Sequence, residues 1–283
     1  MAITITGGLT MSGGTAIVIP PPPPSTFDFS NPVYTHSTWG GDPGGNIGTV
    51  NAFAWGDSGN KFYVTDSTYN FRQFSVGTPY DLTTTSYVQG NNRPALDYSR
   101  SPKGMLFNAA GTRLVGQADW YFYSYNLSTA WDISSISSLA KANNINSQQS
   151  SSATNYNGLD YNASEDNIFS TVYANVDEVQ GFGVSWPTIS YNSSNVRAIP
   201  TSPNRKGFAW DATGANFIIS QVSGPLEIWA CTTPYDITTS SLSSTYDISA
   251  ISPVGNGIIN IVFSGDYTKL FLLNNGTVTV LSQ

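Results

Sequence analysis

Apolar and polar positions alternate along most of the chain, in short runs bounded by Gly, Asn, Asp and Ser. This period of two is typical of half-buried β-strands, and no stretch carries the sustained 3.6-residue apolar period of a helix. One pattern recurs five times: an apolar residue, an aromatic or apolar residue two positions later, a turn, and a second apolar strand. The copies begin at Phe53, Met105, Leu159, Phe208 and Ile261, at spacings of 52, 54, 49 and 53 residues. The pattern therefore predicts five repeats of about fifty residues.

Each repeat is predicted to form a four-stranded blade, which in the first repeat places strands over 53–55, 61–65, 71–76 and 80–88. A glycine in the turn between the first two strands permits the positive φ of a tight hairpin. Alternation along the innermost strand turns two side chains of each blade into the core between blades. These pairs are Phe53/Trp55, Met105/Phe107, Leu159/Tyr161, Phe208/Trp210 and Ile261/Phe263. Ala52, Ala54, Asp160, Ala209, Asp211 and Val262 are expected on the other face.

An aromatic–Asp pair recurs later in the repeats and is predicted to close an Asx-type turn. The pairs are Tyr80/Asp81, Trp131/Asp132 and Tyr235/Asp236, while the third repeat lacks the Asp. The fifth repeat ends at Gln283 before this block, and a matching block with Phe27/Asp28 stands near the start of the chain. A segment from Ser25 to about Tyr34 is therefore predicted to supply the outer strand of the last blade. The fold class predicted for residues 25–283 is all-β, a five-bladed β-propeller closed by its N-terminal strand.

Residues 1–19 do not match the repeat, and five prolines follow at 20–24. Two short strands are predicted at Ile3–Thr6 and Ala16–Ile19, and the prolines favour an extended, semi-rigid spacer. We expect an arm that pairs with the sheet edge of another subunit. A frayed tail is the alternative. The candidate anchoring residues are Ile3, Ile5, Ile17, Val18 and Ile19.

Charge and composition exclude several classes of function. The net charge is −7 and the first cationic side chain is Lys61, so nucleic acid is not an expected partner. The single cysteine, Cys231, cannot form an intrachain disulfide. His36 is the only histidine, which excludes a multi-histidine metal site, and we expect neither a metal nor a cofactor. No apolar run approaches the ~20 residues of a membrane span, and the start does not have the pattern of a secretory signal.

Candidate binding residues are sought where the repeat breaks. Trp120 and Tyr121 fall in a hairpin of the second repeat, and Trp39 opens a Gly-rich loop. Each is a candidate stacking platform for a sugar or a partner protein, although large aromatic rings are more often buried against the fold. Asp160 and Asp211 are the candidates for an enzymatic alternative, because a pair of carboxylates facing the channel is what a glycosidase would need. No acid pair is recognisable, so no catalytic residue is predicted.

The repeats resemble those of propeller-containing structural proteins in tailed bacteriophages, especially marine ones. The resemblance lies in Tyr125-Asn-Leu-Ser-Thr-Ala-Trp-Asp-Ile-Ser and in the preceding Phe-x-x-x-x-Gly strands, and it covers residues 25–283. The opening Met1–Gly14 is also similar to the starts of such virion proteins.

This resemblance implies a virion accessory protein of a tail, fibre or capsid, assembled in the host cytoplasm, without membrane insertion. Its partners would be other virion proteins through the arm, host-surface glycans, and further copies of the chain in the particle. A soluble lectin-like module and a five-bladed glycoside hydrolase are the alternatives.

Overall fold

The computed structural model describes residues 9–10, 16–17, 27–29, 33–39, 49–67, 70–91, 103–145, 155–173, 178–199, 205–221, 224–248, 257–274 and 276–282. Over these residues the chain forms five antiparallel four-stranded sheets and one two-stranded sheet. The innermost strand of each four-stranded sheet packs against those of the neighbouring sheets, around a ring. The predicted five-bladed β-propeller is therefore confirmed.

The first four blades run outward in chain order. Blade one comprises β4 (Val50–Gly56), β5 (Lys61–Asp66), β6 (Phe71–Val76) and β7 (Thr85–Asn91). Blade two comprises β8 (Gly104–Phe107), β9 (Arg113–Ala118), β10 (Tyr121–Leu127) and β11 (Ile136–Asn144). Blade three comprises β12 (Asn155–Tyr161), β13 (Asn167–Tyr173), β14 (Glu178–Ser185) and β15 (Thr188–Ala198). Blade four comprises β16 (Arg205–Trp210), β17 (Asn216–Gln221), β18 (Leu226–Cys231) and β19 (Ser240–Tyr246).

Blade five joins the two ends of the chain. Its inner strands are β20 (Ile258–Phe263), β21 (Lys269–Asn274) and β22 (Thr277–Ser282), and its outer strand is β3 (Val33–Trp39). β3 runs antiparallel to β22, with Val33 opposite Ser282 and Tyr34 opposite Leu281. The predicted closure is confirmed, but the predicted start of the strand at Ser25 is wrong.

Residues 27–29 precede the closing strand as a turn block, as 80–84 precede β7 in blade one, where the outer strand begins at Thr85. Phe27 is 5% exposed and its ring centroid lies 5.9 Å from that of Phe263. The aromatic residue of the block is thus part of the core, and the strand starts only after it.

Inner strands are buried on both faces. Phe53, Met105, Leu159, Phe208 and Ile261 are buried as predicted, at a gain of roughly 1.5–3 kcal/mol for a large apolar side chain. Ala52, Ala54, Ala209 and Asp211, expected on the other face, are buried as well. The reason is that each blade packs between two neighbours; the Tyr63 and Phe107 rings, for example, meet across a blade border at 4.5 Å.

The aromatic–Asp pairs form the predicted turns. Asp81, Asp132 and Asp236 each accept a hydrogen bond from the backbone N–H two residues later, at 2.9, 2.9 and 3.0 Å. The preceding aromatic residues have positive φ, between 58° and 62°. This backbone lays each ring on a hairpin glycine of its own blade, so that a Cβ on Gly111 would overlap the indole of Trp131. Blade three uses a tight hairpin instead, with a cis Trp186–Pro187 peptide bond.

Strands β1 (Leu9–Thr10) and β2 (Ala16–Ile17) pair antiparallel and form a separate two-stranded sheet. The predicted strand at Ile3–Thr6 lies outside the described residues. None of the helices described is long and apolar enough to cross a membrane.

Candidate functional site

A cavity of about 370 Å³ opens where the inner strands end and the first hairpin of each blade begins. All five blades contribute to its wall. The residues that line it include Trp55, Tyr80, Phe107, Trp131, Asp160, Trp210, Phe263 and Tyr267. The volume is at the lower end of the roughly 300–1,000 Å³ of small-molecule sites. We call it the channel-mouth cavity.

Two lysines hold the aromatic wall in place across blade borders. Lys269 Nζ, in blade five, donates to the carbonyl of Tyr80 in blade one at 3.1 Å. Lys61 Nζ, in blade one, donates to the carbonyl of Trp131 in blade two at 3.2 Å, and Tyr63 Oη donates to the same oxygen at 2.6 Å. Each of these lysines opens the second strand of its blade. These bonds tie the backbone of Tyr80 and Trp131 to the neighbouring blade.

Two indole N–H groups of wall residues have no hydrogen-bond partner among the described residues. They belong to Trp55 and Trp210, and both nitrogen atoms are buried. The indoles of Trp186 and Trp229, by contrast, donate to Asn126 at 2.8 Å and to Glu227 at 3.1 Å. A buried donor without an acceptor costs roughly 1–3 kcal/mol, so each exception calls for an explanation.

From the sequence, Trp55 and Trp210 are predicted only as core residues. Both occupy the same position of the repeat, where Phe107, Tyr161 and Phe263 stand in the other blades. The only trace of the unpaired indoles in the sequence is that tryptophan stands at this position in two repeats of five.

Asp160 stands at the border between blades three and four. Its Oδ1 accepts from the N–H of Tyr161 at 2.9 Å, and its Oδ2 accepts from the N–H of Trp210 at 2.8 Å. The side chain is partly exposed at the cavity wall. Burial raises the pKa of Asp160 to about 7, outweighing the two backbone hydrogen bonds that lower it. Its carboxyl group therefore changes charge near neutral pH.

Asp211, the other candidate for an enzymatic pair, holds a hairpin. It is 3% exposed; its Oδ1 accepts from the N–H and hydroxyl of Thr213, and its Oδ2 accepts from Asn216 at 2.7 Å. The carboxylates among the described lining residues are Asp57 and Asp160, from blades one and three. Asp160 and Asp211, the candidates for the enzymatic alternative, are therefore not brought together in this cavity.

Trp120 and Tyr121 belong to the β9–β10 hairpin, at the blade end opposite the channel-mouth cavity. Trp120 is partly buried against the apolar cluster between blades two and three. Tyr121 stacks on Tyr123 at a centroid distance of 5.8 Å, and its hydroxyl accepts from Asn144 at 3.2 Å. Both rings thus contact the fold and are only partly buried, and their role as a stacking platform stays a prediction.

Several candidate residues fall at or beyond the edge of the described chain. Trp39 ends β3, with its backbone opposite Val278, and the loop after it lies outside the described residues. Ile17 pairs with Leu9 in the arm sheet. Ile3, Ile5, Val18 and Ile19 lie outside the described residues. In the part of the chain that is described, no three His, Cys, Asp or Glu side chains gather as metal ligands.

No protein-family profile matches the sequence, and no curated protein matches it. Solved structures are similar to it in fold. A putative 6-phosphogluconolactonase from Bacteroides uniformis is 12% identical, with 79% of this chain and 64% of that chain covered and a TM-score of 0.48. One from Bacteroides fragilis is 9% identical, with 81% and 69% covered and a TM-score of 0.48. The β-propeller domain of Myceliophteria thermophila Cps50 (Swd1) is 12% identical, with 83% of each chain covered and a TM-score of 0.49.

The chain spans less than two thirds of the first of these proteins. At this identity and these TM-scores the likeness carries no argument about function. What stands is an all-β propeller with a closing N-terminal strand and a channel-mouth cavity lined by aromatic rings.

Proposed function

We propose that the chain is an accessory structural protein of a virion, which is anchored by its N-terminal arm and displays the propeller for contact with other molecules. The observation that carries the proposal is the separation of arm and ring. β1 and β2 form their own sheet, while β3, the next strand along the chain, is built into blade five. The arm thus contributes no described strand to a blade, yet the strand that follows it is integral to the ring.

The arm sheet has the properties of a docking element. A two-stranded sheet is marginal alone in water and leaves strand edges unpaired. Pairing with the sheet of another subunit would satisfy those edges and add apolar contacts. The five prolines at 20–24 provide a stiff spacer between such a contact and the ring. The sequence resemblance to phage structural proteins supports the same role.

The proposal assigns binding to the propeller, without catalysis. Asp211 is engaged in its hairpin by three hydrogen bonds. Asp160 accepts two backbone hydrogen bonds that join neighbouring blades. These contacts are those of residues that hold the fold together.

Deletion of residues 1–19 tests the anchor. The full chain and the deletion variant are expressed with an affinity tag during phage infection, and purified particles are probed for each. We expect the full chain in the particles and the variant absent from them, with the same melting temperature for both. Equal incorporation of the two chains would refute the anchor.

A fusion of residues 1–24 to an unrelated folded domain gives the converse test. The proposal requires that the fusion be recruited to particles while the unfused domain is not. Catalysis is tested by turnover of a panel of polysaccharides. If the full chain cleaves a polysaccharide and the Asp160→Asn variant does not, the proposed function would be hydrolysis and not binding.

A further inference from the structure

We propose that the channel-mouth cavity binds an organic ammonium ion, which is attracted by the carboxylates of the end of the ring where the cavity opens. The inference rests on the proposed function in that it names a ligand for the displayed propeller. Every residue that carries it belongs to the ring and none to the arm.

The end of the ring around the cavity carries most of the described carboxylates. Successive strands of a blade are antiparallel, so the first hairpin of each blade and the turn before its outer strand lie at this same end. We call it the hairpin face. The carboxylates in or beside its first hairpins are Asp57, Asp160, Glu165, Asp166, Asp211 and Asp266. Those in the turns before outer strands are Asp28, Asp81, Asp132 and Asp236.

Few cationic side chains offset this charge. Those described at the hairpin face are Lys61, Arg113 and Lys269, each the first residue of the second strand of its blade. The Nζ atoms of Lys61 and Lys269 donate to backbone carbonyls, and the guanidinium of Arg113 lies 5.3 Å from the ring centroid of Trp186. In the rest of the described ring, carboxylates and cations are nearly equal in number. The negative charge of the described residues is therefore concentrated around the cavity, where it raises the local concentration of cations.

The carboxylates of this face are ionised near neutral pH where turns hold them. The Thr83 hydroxyl, which donates to Asp81, and the Asn162 amide, which donates to Asp166, keep the pKa of each carboxyl group below its ordinary value. In the cavity wall, Asp57 is partly exposed. Within the described chain its hydrogen bonds involve its backbone carbonyl, so its carboxylate is available to a ligand.

The wall itself discriminates by charge. Its described residues include Asp57 and Asp160 and no Lys or Arg. An anionic ligand would meet like charge both in the wall and on the surrounding face, whereas a cation is attracted by both. The volume of about 370 Å³ suits a small ligand or the end of a single side chain.

Aromatic rings complete the site for an ammonium ion. Trp55, Tyr80, Trp131 and Tyr267 line the cavity and are partly exposed, and the rings of Trp55 and Tyr80 lie 5.2 Å apart. Alkyl groups of an organic ammonium pack against such rings, and their π-systems attract its positive charge. The combination of aromatic rings with carboxylates, and without a cationic side chain, therefore favours an organic cation over a metal ion or a neutral ligand.

The test measures binding of matched ligand pairs to the full chain by calorimetry at low ionic strength. Choline is paired with 3,3-dimethylbutan-1-ol, its uncharged carbon analogue, and N-acetyl-lysine methylamide with N-acetyl-norleucine methylamide. We expect at least one ammonium ligand to bind, roughly tenfold or more tightly than its neutral partner, and to bind less tightly as salt is added. The first pair represents a small molecule and the second a lysine of a partner protein, so the ammonium ligand that binds identifies the source.

Asp57→Asn removes one carboxylate from the wall. It should raise the dissociation constant of the ammonium ligand roughly fivefold, the effect of a unit charge about 4 Å away in water. Asp119→Asn is the matched control, because it removes the same charge at the opposite end of a blade and should leave the affinity unchanged. Both positions have positive φ, 50° and 49°, which asparagine tolerates, and thermal melts verify that each variant is folded.

The inference is overturned if neither ammonium ligand binds, if the neutral analogues bind equally well, or if the Asp57 and Asp119 variants have equal affinity. Its failure is distinguishable from failure of the proposed anchor. The chain without residues 1–19 should bind the ammonium ligand like the full chain, whatever its incorporation into particles. Loss of binding on that deletion would place the site in the arm and overturn the inference, even if the deletion also abolished incorporation.

Discussion

Replacing Asp160 by Asn should change how the stability of the propeller depends on pH. The carboxyl group has a pKa of about 7 in the folded chain, against an ordinary value of 3.8. Because the folded state holds the proton more tightly than the unfolded state, the contribution of this carboxyl group to stability is largest below its ordinary pKa. That contribution falls as pH rises and levels off above the folded pKa. The asparagine variant has no such dependence at this position.

The size of the effect follows from the two pKa values. At roughly 1.4 kcal/mol per pKa unit, ionisation of Asp160 costs the folded state at most about 4 kcal/mol at high pH. Between pH 5 and pH 8 the change is about 2–3 kcal/mol, because part of the loss already occurs below pH 5. The Asn side chain keeps one acceptor for the N–H groups of Tyr161 and Trp210 but not both. That loss lowers the stability of the variant by a similar amount at every pH.

The assay is urea unfolding of wild type and Asp160→Asn at several pH values from 5 to 8, followed by tryptophan fluorescence. The quantity of interest is the difference in unfolding free energy between the two chains, because titration of all other groups cancels in it. We expect this difference to shift in favour of the variant by about 2–3 kcal/mol over the range. Parallel curves, within about 0.5 kcal/mol, would show that Asp160 is not desolvated as the structure has it.

Three further perturbations test the ring itself. Gly111→Ala places a Cβ into the indole ring of Trp131, at a backbone φ of +67°, and should lower the free energy of unfolding in urea by about 2–4 kcal/mol. Gly183→Ala is the control, because a Cβ there meets no other atom, and it should lower the same free energy by less than about 0.5 kcal/mol. Glu227→Ala removes the carboxylate that lies 2.9 Å from the buried guanidinium of Arg205 and should lower the free energy of unfolding by about 3–5 kcal/mol; a much smaller loss would mean that water reaches the pair. Removal of residues 1–30, which takes the buried Phe27 with it, should lower the melting temperature on the order of 10 °C, whereas removal of residues 1–19 should leave it unchanged; equal melting of the two variants would show that Phe27 does not stabilise the ring.

The repeat predicted the fold well because its strongest signals are local. Alternation and turn glycines sufficed for the blades, and the unfinished fifth repeat predicted the closing strand. The start of that strand at Val33 could not be predicted, because the bend at 27–29 depends on Phe27 packing into the apolar core that blades four and five share. The burial of Ala52 and Ala54 could not be predicted for the same reason, because a period of two in the sequence does not show that another blade packs against the second face of the strand.

The candidate site was harder to predict than the fold. The channel-mouth cavity is assembled from residues of all five blades, so no sequence window contains it. Trp120 and Tyr121 drew attention because they interrupt the repeat, whereas Trp55 and Trp210 conform to it. The raised pKa of Asp160 comes from burial between two blades and has no counterpart in the local sequence.

The pairing of β3 with β22 has a consequence for how the protein is made. Tyr34 and Leu281 are hydrogen-bonded neighbours although about 250 residues separate them along the chain. During synthesis the first strand of the ring must wait for the last, and contacts over such long separations form slowly. Blade five therefore cannot form until translation of the ring is complete, and until then β3 has no partner strand in its blade and can pair with strands of other chains. Ring closure and protection from aggregation become the same late event.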